Sequence, residues 1–151
     1  ISTIPDLSLV VIDPIQSFVA APITTSQEAA QLYCQFCSSI ASKFECSVLS
    51  IHHMSKAGLQ TQESSFDSRA SIRGSAAIVD GHRMAATISI TDEKTAENIC
   101  ADEGLEFDRT RVVNFQVVKA NSNEMDTNPM TLLRREAVLE VYKKDKINFD
   151  F

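Results

Sequence analysis

An α/β fold, with a parallel βαβ unit followed by an antiparallel extension of the sheet, is the fold class that the sequence predicts. Residues 7–14 form a continuous apolar run that ends in Asp-Pro, which is typical of a strand buried on both faces of a parallel sheet. A helical pattern and a second apolar run follow it. The last third of the chain alternates apolar and polar residues, which indicates antiparallel strands.

Composition limits the class of protein further. The chain has 151 residues, 44% of them hydrophobic, and a formal net charge of -6. One domain is the default expectation at this length. The negative charge excludes a polycation that coats nucleic acid, although it is compatible with a local basic loop. No apolar run approaches the roughly 18 residues of a membrane span, and we expect a cytoplasmic protein with reduced thiols.

The first strand ends at Asp13, which is followed by Pro14. Ligands of open α/β sheets bind outside the carboxyl ends of the strands, so Asp13 would stand where a phosphate and its Mg²⁺ are expected. Four apolar residues followed by Asp form the Walker B pattern. The alternative is a buried strand whose final Asp caps the next segment. Because the strand follows Ile1 so closely, we also expect the chain to be part of a larger protein.

An amphipathic helix is predicted after this strand. Ser26 suits the N-cap. Four apolar residues then recur at helical spacing over residues 29–44 and are expected to pack on the sheet: Leu32, Phe36, Ile40 and Phe44. Cys34 and Cys37 lie on the same helix, and Cys46 follows it. These thiols indicate either a metal or redox motif or, since no second pair has zinc-ligand spacing, buried free thiols.

The second strand is predicted over residues 46–53. With the first strand and the helix it forms a right-handed βαβ unit, which brings His52 and His53 to the same sheet edge as Asp13. Residues 54–71 are polar and indicate a long loop. The cations of this region are Lys56, Arg69 and Arg73.

The elements that follow are marked by their boundary residues. Gly81 ends a short helix, Arg83 opens a strand that runs to residue 90, and Gly104 stops a surface helix over residues 92–103. Further strands are predicted over residues 112–119, 130–135 and 137–142, and residues 143–151 form a charged tail.

Four segments together resemble a known family. They are Val-Val-Ile-Asp-Pro at 10–14, His-His-Met-Ser-Lys at 52–56, Arg-Gly-Ser-Ala-Ala-Ile-Val-Asp-Gly-His-Arg at 73–83 and Val-Lys-Ala-Asn at 118–121. In this order the set resembles the RepA-type hexameric replicative helicases, which are RecA-fold ATPases related to DnaB. The resemblance covers residues 7–142 and implies a partial RecA-like core, the C-terminal portion of an ATPase domain.

The resemblance implies roles for the residues at the sheet edge. Asp13 resembles the Walker B carboxylate that holds Mg²⁺ next to the ATP phosphates. His53 resembles the γ-phosphate sensor, and His52 can exchange roles with it because a one-residue register shift reverses the two faces. The alternative for both histidines is a simple structural hydrogen bond.

Further roles follow from the same resemblance. Arg83 resembles an arginine finger that reaches the nucleotide of a neighbouring subunit, and Lys119 would assist there. Single-stranded DNA would contact Lys56, Arg69 or Arg73 through its phosphates. The alternatives are an ion pair of Arg83 with Asp80 and a solvated cation at Lys119.

One feature of the family is missing. No Gly-x-x-x-x-Gly-Lys-Ser/Thr segment occurs among the four glycines of this sequence, so this chain alone is not expected to hydrolyse ATP. We therefore expect the C-terminal half of an ATP- and Mg²⁺-dependent DNA helicase, hexameric at full length and able to dimerise as a fragment. The alternatives are a naturally shortened, non-catalytic DNA-binding or assembly module and a metal-binding domain.

Overall fold

The computed structural model describes residues 4–20, 22–53, 76–122 and 125–143. The chain divides into two compact units, Ile1–Ala85 and Ala86–Phe151, where its length led us to expect one domain. Each unit has its own hydrophobic core. The predicted loop cations and most of the predicted tail lie outside the described residues.

The first unit is built on a parallel pair of strands, which confirms the predicted βαβ unit. Its described elements are β1 (Leu9–Ile12), a 3-10 helix (Ile15–Ser17), α1 (Gln27–Phe44), β2 (Ser47–Ser50) and α2 (Ala76–Gly81). The register pairs Leu9 with Ser47 and Ile12 with Ser50. Both strands therefore end at the same edge of the sheet.

Local signals fix the ends of α1 as the sequence predicts. The Ser26 hydroxyl accepts a hydrogen bond from the Ala29 N–H at 3.2 Å and so satisfies one of the free amides of the first turn. At the other end Glu45 has φ 51°, the left-handed conformation that terminates many helices, and its N–H donates to the Ala41 carbonyl.

The face that α1 buries differs from the predicted one. Leu32 and Phe36, expected on the sheet, are 59% and 56% exposed, whereas Ile40 is 8% exposed. The buried residues of α1 are Ala30, Tyr33, Cys34, Cys37 and Ile40. Most are smaller than Leu or Phe, so the helix axis can come closer to its neighbours along this face. Spacing alone did not separate the two faces, since both are apolar.

The contact between α1 and α2 is close at one point. A Cβ built on Gly81, the last residue of α2, would lie 2.6 Å from the Cys34 Cβ and also overlap its Sγ. The Cys34 thiol is 3.7 Å from the Ala77 carbonyl oxygen and 3.8 Å from that of Ile78. The core around this contact consists of Ile12, Ile15, Ile23, Ala30, Tyr33, Cys34, Cys37 and Ile78.

The second sheet has four strands in the order β3, β4, β5, β6. These are β3 (Met84–Ile90), β4 (Val112–Ala120), β5 (Met130–Arg135) and β6 (Val138–Val141), and β5 is antiparallel to both β4 and β6. The antiparallel strands confirm that part of the prediction. They do not extend the first sheet, because no strand of one described sheet pairs with a strand of the other.

Polar hydrogen bonds run across the second sheet. The Asn114 side-chain amide on β4 donates to the Thr91 hydroxyl at 3.0 Å, and the Thr131 hydroxyl on β5 donates to the Asn114 carbonyl oxygen at 3.3 Å. Thr91 is buried, so these bonds replace its lost contact with water. They tie the end of β3 to β4 beside it and, through Asn114, link β4 to β5.

The helix α3 (Glu93–Asp102) precedes β4 in the chain and packs into the second core. Asp92 caps it by accepting a hydrogen bond from the Thr95 N–H at 2.9 Å. The predicted stop at Gly104 is confirmed, since this residue has φ 64°. Arg135 forms ion pairs with Glu103 and, at 3.3 Å, with Glu140. The core consists of Ala96, Ile99, Cys100, Val112 and Leu133.

Gly81→Ala is expected to lower the free energy of unfolding by about 1–3 kcal/mol, because the new methyl group overlaps Cys34. Chemical denaturation measures this loss. The control is a double-mutant cycle with Cys34→Gly, which removes both overlapping atoms, so the double variant should lose less than the sum of the single losses. Strict additivity of the two losses would contradict the contact.

Asp92→Ala is expected to destabilise the protein by about 1 kcal/mol at neutral pH through loss of the cap. Hydrogen bonds from Thr95 hold the pKa of Asp92 below its ordinary value of 3.8. The ionised carboxylate therefore stabilises the fold above that value, and this contribution disappears as the pH falls through the lowered pKa.

The matched control is Asp92→Asn, which keeps a capping oxygen but no charge. Denaturation across the acid range should show the stabilities of the Asp92→Asn variant and the parent protein converging as the pH falls. A constant difference between them would contradict the electrostatic part of the cap.

Candidate functional site

The carboxyl ends of β1 and β2 form one edge, as the sequence predicts. The Ile51 N–H donates to the Ile12 carbonyl and the Ile15 N–H donates to the Ile51 carbonyl, both at 2.9 Å. These bonds hold the chain on either side of Asp13 against the residue that precedes His52. Asp13 is exposed, and its peptide bond with Pro14 is cis.

A hydrogen bond joins the two segments that follow the strands. The Gln16 side-chain nitrogen, in the 3-10 helix after β1, lies 2.7 Å from His52 Nδ1, after β2. An amide nitrogen only donates, so Nδ1 is the acceptor and the neutral ring carries its proton on Nε2. His52 is half-buried, whereas His53 is exposed.

Gln16 was not among the predicted site residues. It follows Asp13 by three positions, and the 3-10 turn brings it back over the strand ends. The signal in the sequence is a polar residue within one turn of a strand-ending Asp. Sequence reasoning passed over it because Gln has no titratable group and belongs to no motif.

The other predicted site residues are distributed as follows. Arg83 is exposed and stands directly before β3, in the first unit. Lys119 is half-buried near the end of β4, in the second unit. Lys56, Arg69 and Arg73 lie outside the described residues. The structure thus brings Asp13 and the two histidines to one edge, and the roles of all the predicted site residues remain predictions.

The cysteines of the described residues do not form a metal site. Within the described ranges no three His, Cys, Asp or Glu side chains are grouped so that they could hold a metal ion. This corrects the hypothesis of a metal-binding domain built on Cys34, Cys37, Cys46 and a histidine. The role of Asp13 as a ligand of Mg²⁺, a metal that often takes only one or two carboxylates, remains a prediction.

An open apolar groove of about 680 Å³ lies beside β1 and under α1. Its walls include Val10 and Ile12 of the strand and Leu32 and Phe36 of the helix. The face of the β1–β2 pair opposite Val10 and Ile12 also has exposed side chains. Leu49, on that face, is 50% exposed. Of the described strands, only β2 pairs with β1, so the second edge of β1 borders this groove.

Two sequence comparisons identify no relative of this chain. No protein-family model and no curated protein matches the chain. The helices in the described ranges are all too short or too polar to cross a membrane.

Gln16→Ala is expected to release the His52 ring from its fixed tautomer while lowering the free energy of unfolding by only about 0.5–1 kcal/mol. Long-range ¹⁵N–¹H NMR spectra of the imidazoles measure the tautomer. His53 is the internal control, because its signals should not change. A His52 spectrum identical to that of the parent protein would contradict the hydrogen bond.

Proposed function

We propose that this chain is the C-terminal half of a RecA-type ATPase, a RepA-like DNA helicase that couples ATP hydrolysis to movement along single-stranded DNA. The observation that carries the proposal is the parallel β1–α1–β2 unit, which brings Asp13 and His52 to one carboxyl edge. That edge is where α/β proteins of this architecture bind phosphate ligands.

The residues at the edge suit phosphate chemistry. Mg²⁺, when bound with ATP, neutralises charge on the β and γ phosphates. Asp13 would hold the metal through water and orient it. His52 or His53 would donate a hydrogen bond to the γ-phosphate, and the Gln16 contact places the proton of His52 on Nε2, from which it can be donated. Arg83 would add positive charge at a neighbouring subunit's nucleotide.

The apolar groove beside β1 is evidence that the sheet of the whole protein has more strands than β1 and β2. Parallel sheets usually have both faces and all inner strands covered, because their strands are apolar throughout. Here the groove beside β1 is overhung by Leu32 and Phe36 of α1, as expected if a further parallel strand belongs there. A RecA-type core would supply that strand together with the phosphate-binding loop that this sequence lacks.

A second candidate function is a non-catalytic DNA-binding or assembly module of the same fold. This function requires no Gly-x-x-x-x-Gly-Lys-Ser/Thr segment, and the given residues contain none. The reading frame before Ile1 separates the two functions. A phosphate-binding loop encoded there, and ATP hydrolysis stimulated by single-stranded DNA in the whole product, would support the ATPase.

Arg83→Ala in that whole product is expected to reduce ATP turnover by about 10³-fold or more, because the finger acts on transition-state charge. Nucleotide binding, measured with a fluorescent ATP analogue, should change little. Arg83→Lys is the matched control and should restore only part of the rate, since Lys lacks the planar fork of donors. Unchanged turnover in Arg83→Ala would remove Arg83 from this role.

A further inference from the structure

One edge of the parallel strand pair has no partner among the described strands. The carbonyls of Ser8 and Ile12 accept hydrogen bonds at 2.9 Å from β2 and from the residue that follows it. In a parallel pair alternate residues bond to the neighbouring strand, so Leu9 and Val11 direct their N–H and C=O groups away from β2. Of the described strands, only β2 pairs with β1, so these four backbone groups lie at an open edge.

The sequence of β1 has none of the features that normally keep a strand edge from associating. Natural edge strands carry charged side chains, a proline or a bulge. The strand β1 is Leu-Val-Val-Ile, without a charge or a proline, and its four residues pair with β2 in uninterrupted register. An open edge of this kind is a template for another strand. The occupant that satisfies the free backbone groups is therefore a β-strand.

Apolar side chains flank the open edge on both faces of the strand pair. Phe18, Leu32 and Phe36 line the groove on one face, and Leu9 and Val11 lie on the other. Each of the five is at least half exposed. Since a large aromatic side chain has 150–250 Å² to bury, the five expose on the order of 500 Å² per copy. Two copies that covered this surface would bury about 1,000 Å², the lower limit of a specific interface.

We propose that β1 pairs antiparallel with β1 of a second copy of this chain, about a two-fold axis that passes through Val10 perpendicular to the sheet. Leu9 of one copy then lies opposite Val11 of the other. Opposed residues of this type exchange both of their hydrogen bonds, so the two symmetric pairs form four. The axis keeps both copies of α1 on one face, where Leu32 and Phe36 of each copy cover the groove of the other. Such a pair is closed, because it uses the same surface of both copies.

Charge sets a condition on this pairing. Residues 7–12 are uncharged, but the chain has a net charge of -6. The register about Val10 places Leu7 of one copy opposite Asp13 of the other, which brings Asp13 of each copy near Asp6 of the other. Both aspartates are exposed, so salt screens their repulsion. The association should therefore become tighter as salt is added.

The test measures the mass of the folded 151-residue chain by analytical ultracentrifugation at low and high salt. A dimer with a dissociation constant of about 1–100 µM is expected, since the interface is small for a specific complex. Amide hydrogen exchange locates the interface. The N–H groups of Leu9 and Val11 should exchange more slowly in the dimer, whereas the Ile51 N–H, already bonded to the Ile12 carbonyl, should not change.

Three variants separate this edge from the rest of the surface. Val11→Pro removes an edge-facing donor from each copy but no bond to β2, and the dissociation constant should rise at least about tenfold. Phe36→Glu puts a carboxylate into the covered groove and should weaken the dimer similarly, without a change in β1. Leu49→Glu is the matched control, because Leu49 is equally exposed but lies on β2, and it should change the dissociation constant little. If Val11→Pro does not fold by circular dichroism, Phe36→Glu and its control decide.

Three results would overturn the proposal. One is a monomer at every concentration up to about 300 µM. Another is a series of assemblies that grow beyond the dimer, since a closed two-fold pair cannot extend. The third is a dimer that Phe36→Glu does not weaken or that loosens as salt is added. The inference does not rest on the proposed ATPase, whose longer product would cover this edge with its own strand, so ATP hydrolysis by that product is a separate test.

Discussion

The parallel pairing of β1 with β2 is the constraint on which the candidate site depends. Parallel strands cannot be joined by a tight turn, so the chain must cross the sheet through α1 and re-enter in the same direction. Both strands consequently end at one edge, where two backbone hydrogen bonds through Ile51 hold the following residues together. Asp13 lies at this edge, and Gln16 contacts His52 there although the two are 36 positions apart in the sequence.

Helix α1 has two apolar faces with different environments. One face packs on the strands and α2 through small side chains, and on this face Cys37 Sγ lies 3.9 Å from Ser50 Oγ. The other face carries Leu32 and Phe36 over the groove beside β1. A helix that is apolar on both sides is typical of a buried position in an α/β core. The close packing on the first face depends on Gly81, which leaves room for the Cys34 thiol.

The second unit is stabilised by a different arrangement. Its antiparallel strands are joined by the hydrogen bonds from Thr91 through Asn114 to Thr131, and α3 contributes Ala96, Ile99 and Cys100 to a separate core. In an antiparallel sheet one face can remain in contact with water, which agrees with the alternation of exposed and less exposed residues along β3. The sequence shows this difference from the first unit as alternation instead of continuous apolar runs.

The sequence by itself determined the described α-helices and strands to within a few residues, but not the 3-10 helix at Ile15–Ser17. The ends of α1 and α3 are set by residues within one helical turn of them: Ser26, Asp92 and Gly104. Such local effects can be predicted without knowledge of the tertiary structure. The position of Asp13 and the two histidines at one edge also followed, since parallel strand ends share an edge. Only the tertiary structure decided which face of α1 is buried and that the antiparallel strands form their own sheet. It also decided two side-chain contacts, Gln16 with His52 and Cys37 with Ser50. Those features depend on distances between residues far apart in the chain, which periodicity and capping signals do not encode.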